Sequence, residues 1–342
     1  MTATLADLQA LAAATFGEPV TVEDRLAGGG SARAFYRFRA GLDGCAVIGV
    51  MARCAAEVRA FLGFTRHFAA QGIPVPQMYG EDAARGLYLM EDLGSVTLAH
   101  RLHHWRAQPG GESQARAALE TVVRWLPIIQ VRGGEGLDDA LCWEGRALDG
   151  AVFRADVERF LAHYLPRRAG TAPPLDGAVR EDLDALLARL DALPREHFCY
   201  RDFQTRNIMW PEREQRSGPV FLDYQSGRRG PLAYDLASLL YSPDTGADDA
   251  LRERLIAVYL VALGECGAAV DRVEFMREFY PLVLIRRLQA LGAYAQLAGE
   301  GREGDYLERI PPALATLRAL QARGRFRFGL PALERWLERV FD

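Results

Sequence analysis

The sequence predicts an α+β protein of two lobes, a small β-rich N-terminal lobe and a large helical C-terminal lobe. Strand patterns and turns fill the first part of the chain, and helical periodicity dominates from Ser95 onward. A length of 342 residues also exceeds what one simple hydrophobic core usually serves. We therefore expect residues 1–92 to form the N-terminal lobe and residues 93–342 the C-terminal lobe.

The N-terminal lobe is predicted to begin with an amphipathic helix. Residues 1–17 are apolar in places, and no basic residue precedes Arg25, so the segment lacks the positive region that a signal peptide needs. Residues 21–40 then predict two strands joined by a glycine-rich turn. Residues 45–51 are rich in β-branched side chains and predict a third strand.

A helix and a hairpin complete this lobe. Residues 55–72 repeat apolar side chains at helical spacing and end at Gly72, a typical helix terminator. Residues 75–93 are typical of a β-hairpin whose second arm leads into an acidic hinge near Glu91–Gly94.

The C-terminal lobe is predicted to be helical apart from one hairpin. The segments with helical periodicity are residues 112–130, 151–165, 180–193 and 251–265. Residues 198–203 and 218–225 resemble strands, and we expect them to form the two arms of a hairpin. The longest apolar run, residues 255–264, is too short to span a membrane, so we expect a buried helix there.

Composition argues against several classes of protein. With 49% hydrophobic and 25% charged residues, the chain matches an ordinary folded soluble protein. A net charge of −4 gives no reason to expect a nucleic-acid or membrane partner. The five scattered cysteines contain no C-x-x-C pair and indicate reduced thiols in the cytoplasm. The oligomeric state stays open.

Two absences in the composition bear on the chemistry. The chain contains no lysine, and its single asparagine is Asn207. Both features are expected of coding DNA that is poor in A and T. An asparagine retained against that bias favours a role that no other side chain fills.

The chemistry is concentrated in residues 200–210 and 221–225. Asp202 and Asn207 lie five positions apart, and Asp223 follows sixteen positions later. Phosphoryl transfer from ATP needs a carboxylate that accepts the proton of the attacking hydroxyl, and oxygen ligands for Mg²⁺. Alone, each of the three is more often a turn or capping residue. Together, they favour a kinase.

These segments resemble the catalytic and metal-binding segments of aminoglycoside phosphotransferases and related small-molecule kinases, which share the protein-kinase fold. Residues 90–98, 222–240 and 288–311 extend the resemblance. They are similar to a bacterial branch that includes the anomeric N-acetylmuramate/N-acetylglucosamine kinases of cell-wall recycling. The resemblance implies a bilobal protein-kinase-like fold and a sugar kinase that uses ATP and Mg²⁺.

The resemblance also implies roles for individual residues. It makes Asp202 the catalytic base, Asn207 and Asp223 the Mg²⁺ ligands, and Asp235 a brace for the catalytic loop. Tyr200 departs from the family pattern, because most members have histidine at this position, where the residue supports the loop.

The glycine run within residues 27–33 is either a plain hairpin turn or a loop whose N–H groups close over phosphates. The resemblance makes Arg33 and Arg37 candidates for phosphate contact and implies that adenine binds at the hinge. The predicted nucleotide-binding residues are Gly28, Gly29, Gly30, Ser31, Arg33, Arg37, Glu91 and Leu93.

The lysine that holds the α- and β-phosphates in kinases cannot exist in this chain. Val50 or Met51 occupies its place in the third strand. An arginine can replace lysine in this role, with bidentate geometry. Glu57, on the following helix, is either the partner of such a cation or a solvated acid on the helix surface.

Acceptor contacts are predicted for Gln204, Arg206 and Arg228. The first two could equally brace the loop, and the third could be a solvated turn residue. We expect the acceptor to be the anomeric hydroxyl of an amino sugar or related hexose, which gives a sugar 1-phosphate. Two alternatives remain: a kinase of another small hydroxyl compound, such as an aminoglycoside or amino alcohol, and a nucleotide-binding regulator without turnover.

Overall fold

This computed structural model describes residues 3–26, 33–40, 45–168, 173–211, 218–301 and 306–342. The predicted phosphate-loop residues Gly28, Gly29, Gly30 and Ser31 lie outside the described residues. The chain divides into two compact units. The first comprises Met1–Ala118, Glu135–Arg146 and Thr205–Gly227, and the second comprises Leu119–Gly134, Ala147–Gln204 and Arg228–Asp342. The lobe boundary after residue 92 stays a prediction.

The first unit contains an antiparallel sheet, which among the described residues has five strands in the order β1-β2-β3-β5-β4. The strands are β1 (Thr21–Leu26), β2 (Ala34–Ala40), β3 (Cys45–Met51), β4 (Met78–Asp82) and β5 (Leu87–Glu91). The predicted strands and the hairpin of residues 75–93 are therefore confirmed. Gly49 in β3 faces the Phe38 ring so closely that an added Cβ would lie 2.4 Å from it, so the sheet needs glycine there.

Helices of the first unit pack on this sheet and follow it. They are α1 (Leu5–Phe16), α2 (Ala55–Ala70) and α3 (Leu98–Arg106), while α4 (Gly111–Gln130) runs on into the second unit. Thr4 and Asp7 form a capping box that starts α1. The core of the unit joins α1 to the sheet through Leu8, Ala12, Phe38, Val47, Leu87 and Leu89.

The short strands around the predicted catalytic segment pair differently from our expectation. They are β6 (His197–Cys199), β7 (Ile208–Met209), β8 (Val220–Phe221) and β9 (Arg228–Gly230), and β6 pairs with β9 while β7 pairs with β8. The prediction of one hairpin from residues 198–203 and 218–225 is therefore wrong. Arg201 has a φ of 75°, a left-handed conformation that ends an extended strand, so the first arm of the hairpin starts only after Asn207.

The second unit is mainly helical, as predicted. Besides the end of α4 it contains α5 (Gly150–Arg159), α6 (Gly177–Asp191), α7 (Ala233–Leu240), α8 (Asp249–Glu265), α9 (Arg272–Gly299), α10 (Ile310–Ala322) and α11 (Pro331–Phe341). Four of these helices follow an aspartate whose carboxylate accepts N–H groups of the first turn: Asp149, Asp176, Asp248 and Asp271. Such N-caps fix where each helix begins.

Helix α8 contains the longest apolar run, and the expectation that the run is buried holds for one face only. Leu255, Ile256 and Tyr259 are buried, but Val261 is 59% exposed. Within the described parts of the chain, no helix is long and apolar enough to cross a membrane.

Candidate active site

Arg33 joins two acidic residues of the first unit. Its Nη2 lies 2.5 Å from Oδ1 of Asp223, and its Nε lies 3.5 Å from Oε1 of Glu57 on α2. The Arg33 side chain is 10% exposed, and that of Asp223 is 33% exposed. Glu57, for which the sequence left open a cation partner or a solvated position on the helix surface, pairs with Arg33.

The ion pair shifts the pKa of both partners so that both stay charged. Burial acts to lower the pKa of Arg33, but Asp223, Tyr88 and Glu57 together outweigh burial and the pKa is raised. Burial likewise acts to raise the pKa of Asp223. The charge of Arg33 and hydrogen bonds from Gln225 and Arg33 outweigh burial, so the pKa of Asp223 lies below its usual value. Burial raises the pKa of Glu57, against the charge of Arg33.

The backbone at Asp223 is strained and firmly anchored. Its φ of 69° is left-handed, which costs a residue with a side chain about 1–2 kcal/mol. The next residue, Tyr224, places its hydroxyl 2.6 Å from that of Thr65 and stacks its ring on Phe61, with centroids 5.3 Å apart. Helix α2 therefore carries Glu57 and also fixes the segment that carries Asp223.

Asn207 lies beside that segment. It ends the 3-10 turn Thr205–Asn207, and its backbone carbonyl accepts a hydrogen bond from Leu222 N at 3.0 Å. The structure thus brings the two predicted metal ligands, Asn207 and Asp223, to neighbouring positions of the first unit.

The pair fits Mg²⁺ by its chemistry, because both side chains offer oxygen and Mg²⁺ commonly takes its other ligands from phosphate and water. Among the described residues there is no cluster of three histidine, cysteine, aspartate or glutamate side chains that could enclose a metal on its own.

Arg37, the second predicted phosphate contact, forms its own ion pair. Its Nε donates to Oδ2 of Asp92 at 2.7 Å, and its Nη2 lies 3.3 Å from Oδ1. Asp92 Oδ1 also accepts from Gly94 N at 2.8 Å, where the chain turns with a φ of 80°. Arg37 thus braces the predicted hinge.

Leu93 and Glu91 occupy different environments at this hinge. Leu93 is buried in an apolar cluster with Met209 and Val220, against which Leu222 packs. Glu91 Oε2 accepts a hydrogen bond from the backbone N–H of residue 77 at 3.2 Å. At the hinge, the apolar cluster of Leu93 therefore follows directly after the end of strand β5, where Glu91 accepts its hydrogen bond.

In the second unit, Asp202 is held by an arginine that sequence reasoning missed. Arg286 on α9 donates from Nη2 to Asp202 Oδ1 at 3.1 Å. Its Nε donates to Ser238 Oγ at 3.0 Å, and its Nη1 donates to Gln289. Arg286 is 4% exposed and Asp202 is 37% exposed. A buried guanidinium, each of whose three nitrogens donates a hydrogen bond, therefore fixes the carboxylate of Asp202.

Asp235 binds the backbone that precedes Asp202. Its carboxylate accepts from Tyr200 N at 2.8 Å, Arg201 N at 2.9 Å and Gln130 Nε2 at 3.1 Å. Burial raises the pKa of Asp235 to about 6, against the lowering effect of these hydrogen bonds. This contact matches the bracing role that the family resemblance implies.

The side chain of Arg201 stabilises its own left-handed backbone. Its Nη2 lies 3.0 and 2.8 Å from the two carboxylate oxygens of Asp156 on α5. Its Nη1 donates to Tyr234 Oη at 2.6 Å.

Tyr200, in place of the family histidine, is fully buried with its ring edge-on to Phe203. It therefore acts as a core residue.

The three predicted acceptor residues differ in placement. Gln204 is 5% exposed and belongs to the second unit. Arg228 is 3% exposed in β9, opposite Cys199. Arg206 belongs to the first unit, where its charge contributes to lowering the pKa of Asp223.

Sequence reasoning missed the supporting residues Arg286, Asp156 and Gln130. Arg286 had a signal: it lies in the apolar helical run of residues 282–291, where a charged side chain is seldom buried unless it is paired. Asp156 and Gln130 occupy ordinary helical positions and gave no such signal.

Known proteins resemble this chain in sequence. The profile of the phosphotransferase enzyme family matches residues 25–276. The N-acetylmuramate/N-acetylglucosamine kinase of Caulobacter vibrioides is 26% identical over 287 residues, which cover 79% of this chain and 76% of that protein.

Solved structures share the fold. Choline kinase from Cryptosporidium parvum gives a TM-score of 0.57 at 12% identity, covering 93% of each chain. A thermostable mutant of aminoglycoside phosphotransferase APH(4)-Ia, in complex with ADP and hygromycin B, gives a TM-score of 0.52 at 16% identity, covering 90% of this chain and 97% of that one. The predicted α+β, protein-kinase-like fold is therefore confirmed. With the family profile matched over most of its length, the chain belongs to the phosphotransferase enzyme family.

Proposed function

We propose that this protein transfers the γ-phosphate of ATP to the anomeric hydroxyl of an amino sugar, which gives a sugar 1-phosphate and ADP. The observation that carries the kinase chemistry is the placement of Asn207 beside the segment of Asp223, with Arg33 on the Asp223 carboxylate. The amino-sugar acceptor is supported by the relative from Caulobacter vibrioides, which is named for N-acetylmuramate and N-acetylglucosamine.

Asp202 acts as the base in this proposal. Its carboxylate orients the acceptor hydroxyl and takes the proton as the oxygen attacks the γ-phosphorus. The bond from that phosphorus to the β-phosphate oxygen breaks, and ADP leaves. Arg286 holds the carboxylate in one orientation, because its own three hydrogen bonds leave it little freedom.

Asn207 and Asp223 hold Mg²⁺ together with the phosphates in this proposal. The ion, when bound, neutralises the charge of the triphosphate. Arg33 supplies the cation that lysine supplies in other kinases, and Glu57 aligns it. Adenine packs on the apolar cluster at Leu93, next to the backbone at Glu91.

Gln204, Arg206 and Arg228 contact the sugar in this proposal. The reaction takes place in the cytoplasm, on amino sugars released during cell-wall recycling. Amide and guanidinium donors suit the hydroxyl and N-acetyl oxygens of such a sugar.

An assay of ADP release tests the proposal with matched substrates. We expect turnover of N-acetylglucosamine or N-acetylmuramate, and none of the corresponding methyl glycoside, because its anomeric oxygen carries a methyl group. The product should release phosphate in mild acid, as glycosyl phosphates do and 6-phosphates do not. Turnover of the methyl glycoside would place the phosphate elsewhere on the ring.

The Asp202→Asn variant provides the control for the base. It should still bind ADP, since nucleotide binding rests on other groups, while turnover falls by roughly three orders of magnitude.

Choline, ethanolamine and hygromycin B should be tested as acceptors in parallel with the amino sugars. If the protein turns over one of these compounds in preference to the amino sugars, that compound is the acceptor and the amino-sugar proposal is wrong.

A further inference from the structure

A cavity of about 470 Å³ opens within the second unit. The end of α6, the first part of α9 and the segment between α10 and α11 form its walls. The apolar part of the lining consists of Leu186, Leu190, Leu193, Met276, Pro281 and Phe328. A volume of this size suits a small organic molecule, whose pockets usually span roughly 300–1,000 Å³.

Positive charge surrounds this apolar floor. The lining includes Arg189, Arg277, Arg325 and Arg327, and its acidic residue is Glu278. Four arginines against one glutamate make the mouth of the cavity an environment for an anion.

Three of these arginines are available to a ligand. Among the residues that the structure describes, no carboxylate pairs with Arg277, Arg325 or Arg327. Arg325 instead lies over the ring of Tyr280, with its Cζ 5.0 Å from the ring centroid. Arg189 is held in place, because its Nη1 donates to Phe328 O at 2.7 Å.

The cavity lies away from Asp202. Arg277, which lines it, and Arg286, which holds Asp202, are nine residues apart on α9. At about 100° per residue, nine residues place the two side chains on opposite faces of the helix. A ligand in the cavity is therefore separated from Asp202 by the body of α9 and is not the acceptor.

We propose that this cavity binds a small organic phosphate that carries an apolar ring. The ring lies on the leucine and methionine floor, and the phosphate is bound by Arg277 and Arg325 at the rim. A dianionic phosphate matches the excess of arginines better than a monocarboxylate does, and guanidinium groups bind phosphate in bidentate geometry. This site is independent of the proposed sugar kinase activity.

Matched naphthalene compounds test the proposal by calorimetry, with the nucleotide site saturated by ADP. We expect 1-naphthyl phosphate to bind at one site per chain. 1-Naphthoate, 1-naphthol and inorganic phosphate should each bind at least about tenfold more weakly, because each lacks one feature of the ligand. Equal binding of 1-naphthol or of inorganic phosphate would overturn the proposal, and tighter binding of 1-naphthoate would overturn the choice of phosphate.

Variants locate the binding. Arg277→Gln with Arg325→Gln should weaken 1-naphthyl phosphate by roughly tenfold or more. The control is the double variant Arg335→Gln, Arg339→Gln, which changes two exposed arginines of α11 outside the cavity. It should bind 1-naphthyl phosphate as tightly as wild type does. Arg327→Gln, a single change in the cavity lining, serves as a second variant. Thermal unfolding of every variant shows whether it still folds. Unchanged affinity for 1-naphthyl phosphate in the Arg277→Gln, Arg325→Gln double variant would overturn the site. All of these measurements report binding, so the result does not depend on turnover.

Discussion

Arg33 Nη2 and Gln225 Nε2 donate to the same atom, Oδ1 of Asp223, at 2.5 and 2.9 Å. In the proposed function that carboxylate binds Mg²⁺. A divalent cation and the Arg33 guanidinium then compete for the same carboxylate, and the displaced guanidinium is available to the phosphates. Nucleotide and metal binding would exchange one cation for another at Asp223.

Replacing Arg33 tests this exchange through two opposite effects. Arg33→Ala should bind Mn²⁺ alone roughly fivefold more tightly, because a competing unit charge worth about 1 kcal/mol or more is gone from Asp223. The same variant should bind ATP about tenfold more weakly, since it loses a phosphate contact. Electron paramagnetic resonance of Mn²⁺ measures the first effect, and ATP titration measures the second.

The control for this pair of measurements is Arg39→Ala, which changes an exposed arginine of β2, the strand that follows Arg33, where it pairs with Glu23. It should change neither affinity. If Arg33→Ala leaves Mn²⁺ affinity unchanged, the guanidinium does not compete with the metal at Asp223.

Asn207→Ala and Asp223→Ala should both raise the Mg²⁺ concentration needed for half-maximal turnover. We expect about tenfold for the asparagine and considerably more for the aspartate, because the carboxylate contributes charge as well as an oxygen ligand. A titration of turnover against Mg²⁺ measures both. An unchanged Mg²⁺ requirement in Asn207→Ala would exclude its side chain as a ligand.

Arg286→Ala should lower kcat by roughly a hundredfold while KM for ATP stays within about threefold, because Arg286 donates to Asp202, Ser238 and Gln289 and so acts by positioning Asp202. Added guanidinium ion at millimolar concentration should restore part of the lost rate by occupying the vacated space. Gln289→Ala, which removes only one partner of Arg286, is the matched control and should lose much less. A general loss of folding would instead reduce kcat without rescue.

Asp235 gives a pH dependence whose sign is fixed by its raised pKa of about 6. Between the ordinary aspartate pKa and pH 6 the folded chain keeps a proton that the unfolded chain releases, so this group makes the fold less stable as pH rises. Relative to Asp235→Asn, which does not titrate, wild type should lose on the order of 2 kcal/mol of unfolding free energy from pH 4 to pH 6. Urea unfolding at several pH values measures the difference. Parallel curves for the two proteins would show that Asp235 titrates normally.

Local periodicity predicted the regular elements well. The third strand was expected at residues 45–51 and lies at Cys45–Met51, and the helix expected at residues 55–72 is Ala55–Ala70. Both elements have long, consistent patterns of apolar residues. Strands β7 and β8 have two residues each, which is too short for a period of two to be recognised.

The partners of the site residues could not be read from the sequence for a different reason. Asp202 meets Arg286 across 84 positions, and Arg201 meets Asp156 across 45. Such contacts depend on how helices pack, which no local pattern specifies. Asn207 and Asp223 could be predicted as metal ligands because the chemistry of phosphoryl transfer constrains residue type as well as spacing.

The proposed role of Arg33 in place of a kinase lysine has a consequence for chemical detection. Reagents that deliver an acyl group from an acyl phosphate of ATP label kinases by acylating the lysine amine near the phosphates. This chain contains no lysine, and the cation paired with Asp223 and Glu57 is a guanidinium, which is always protonated and a poor nucleophile. A survey of ATP-binding proteins with such reagents would therefore miss this protein even when the reagent occupies its proposed nucleotide site.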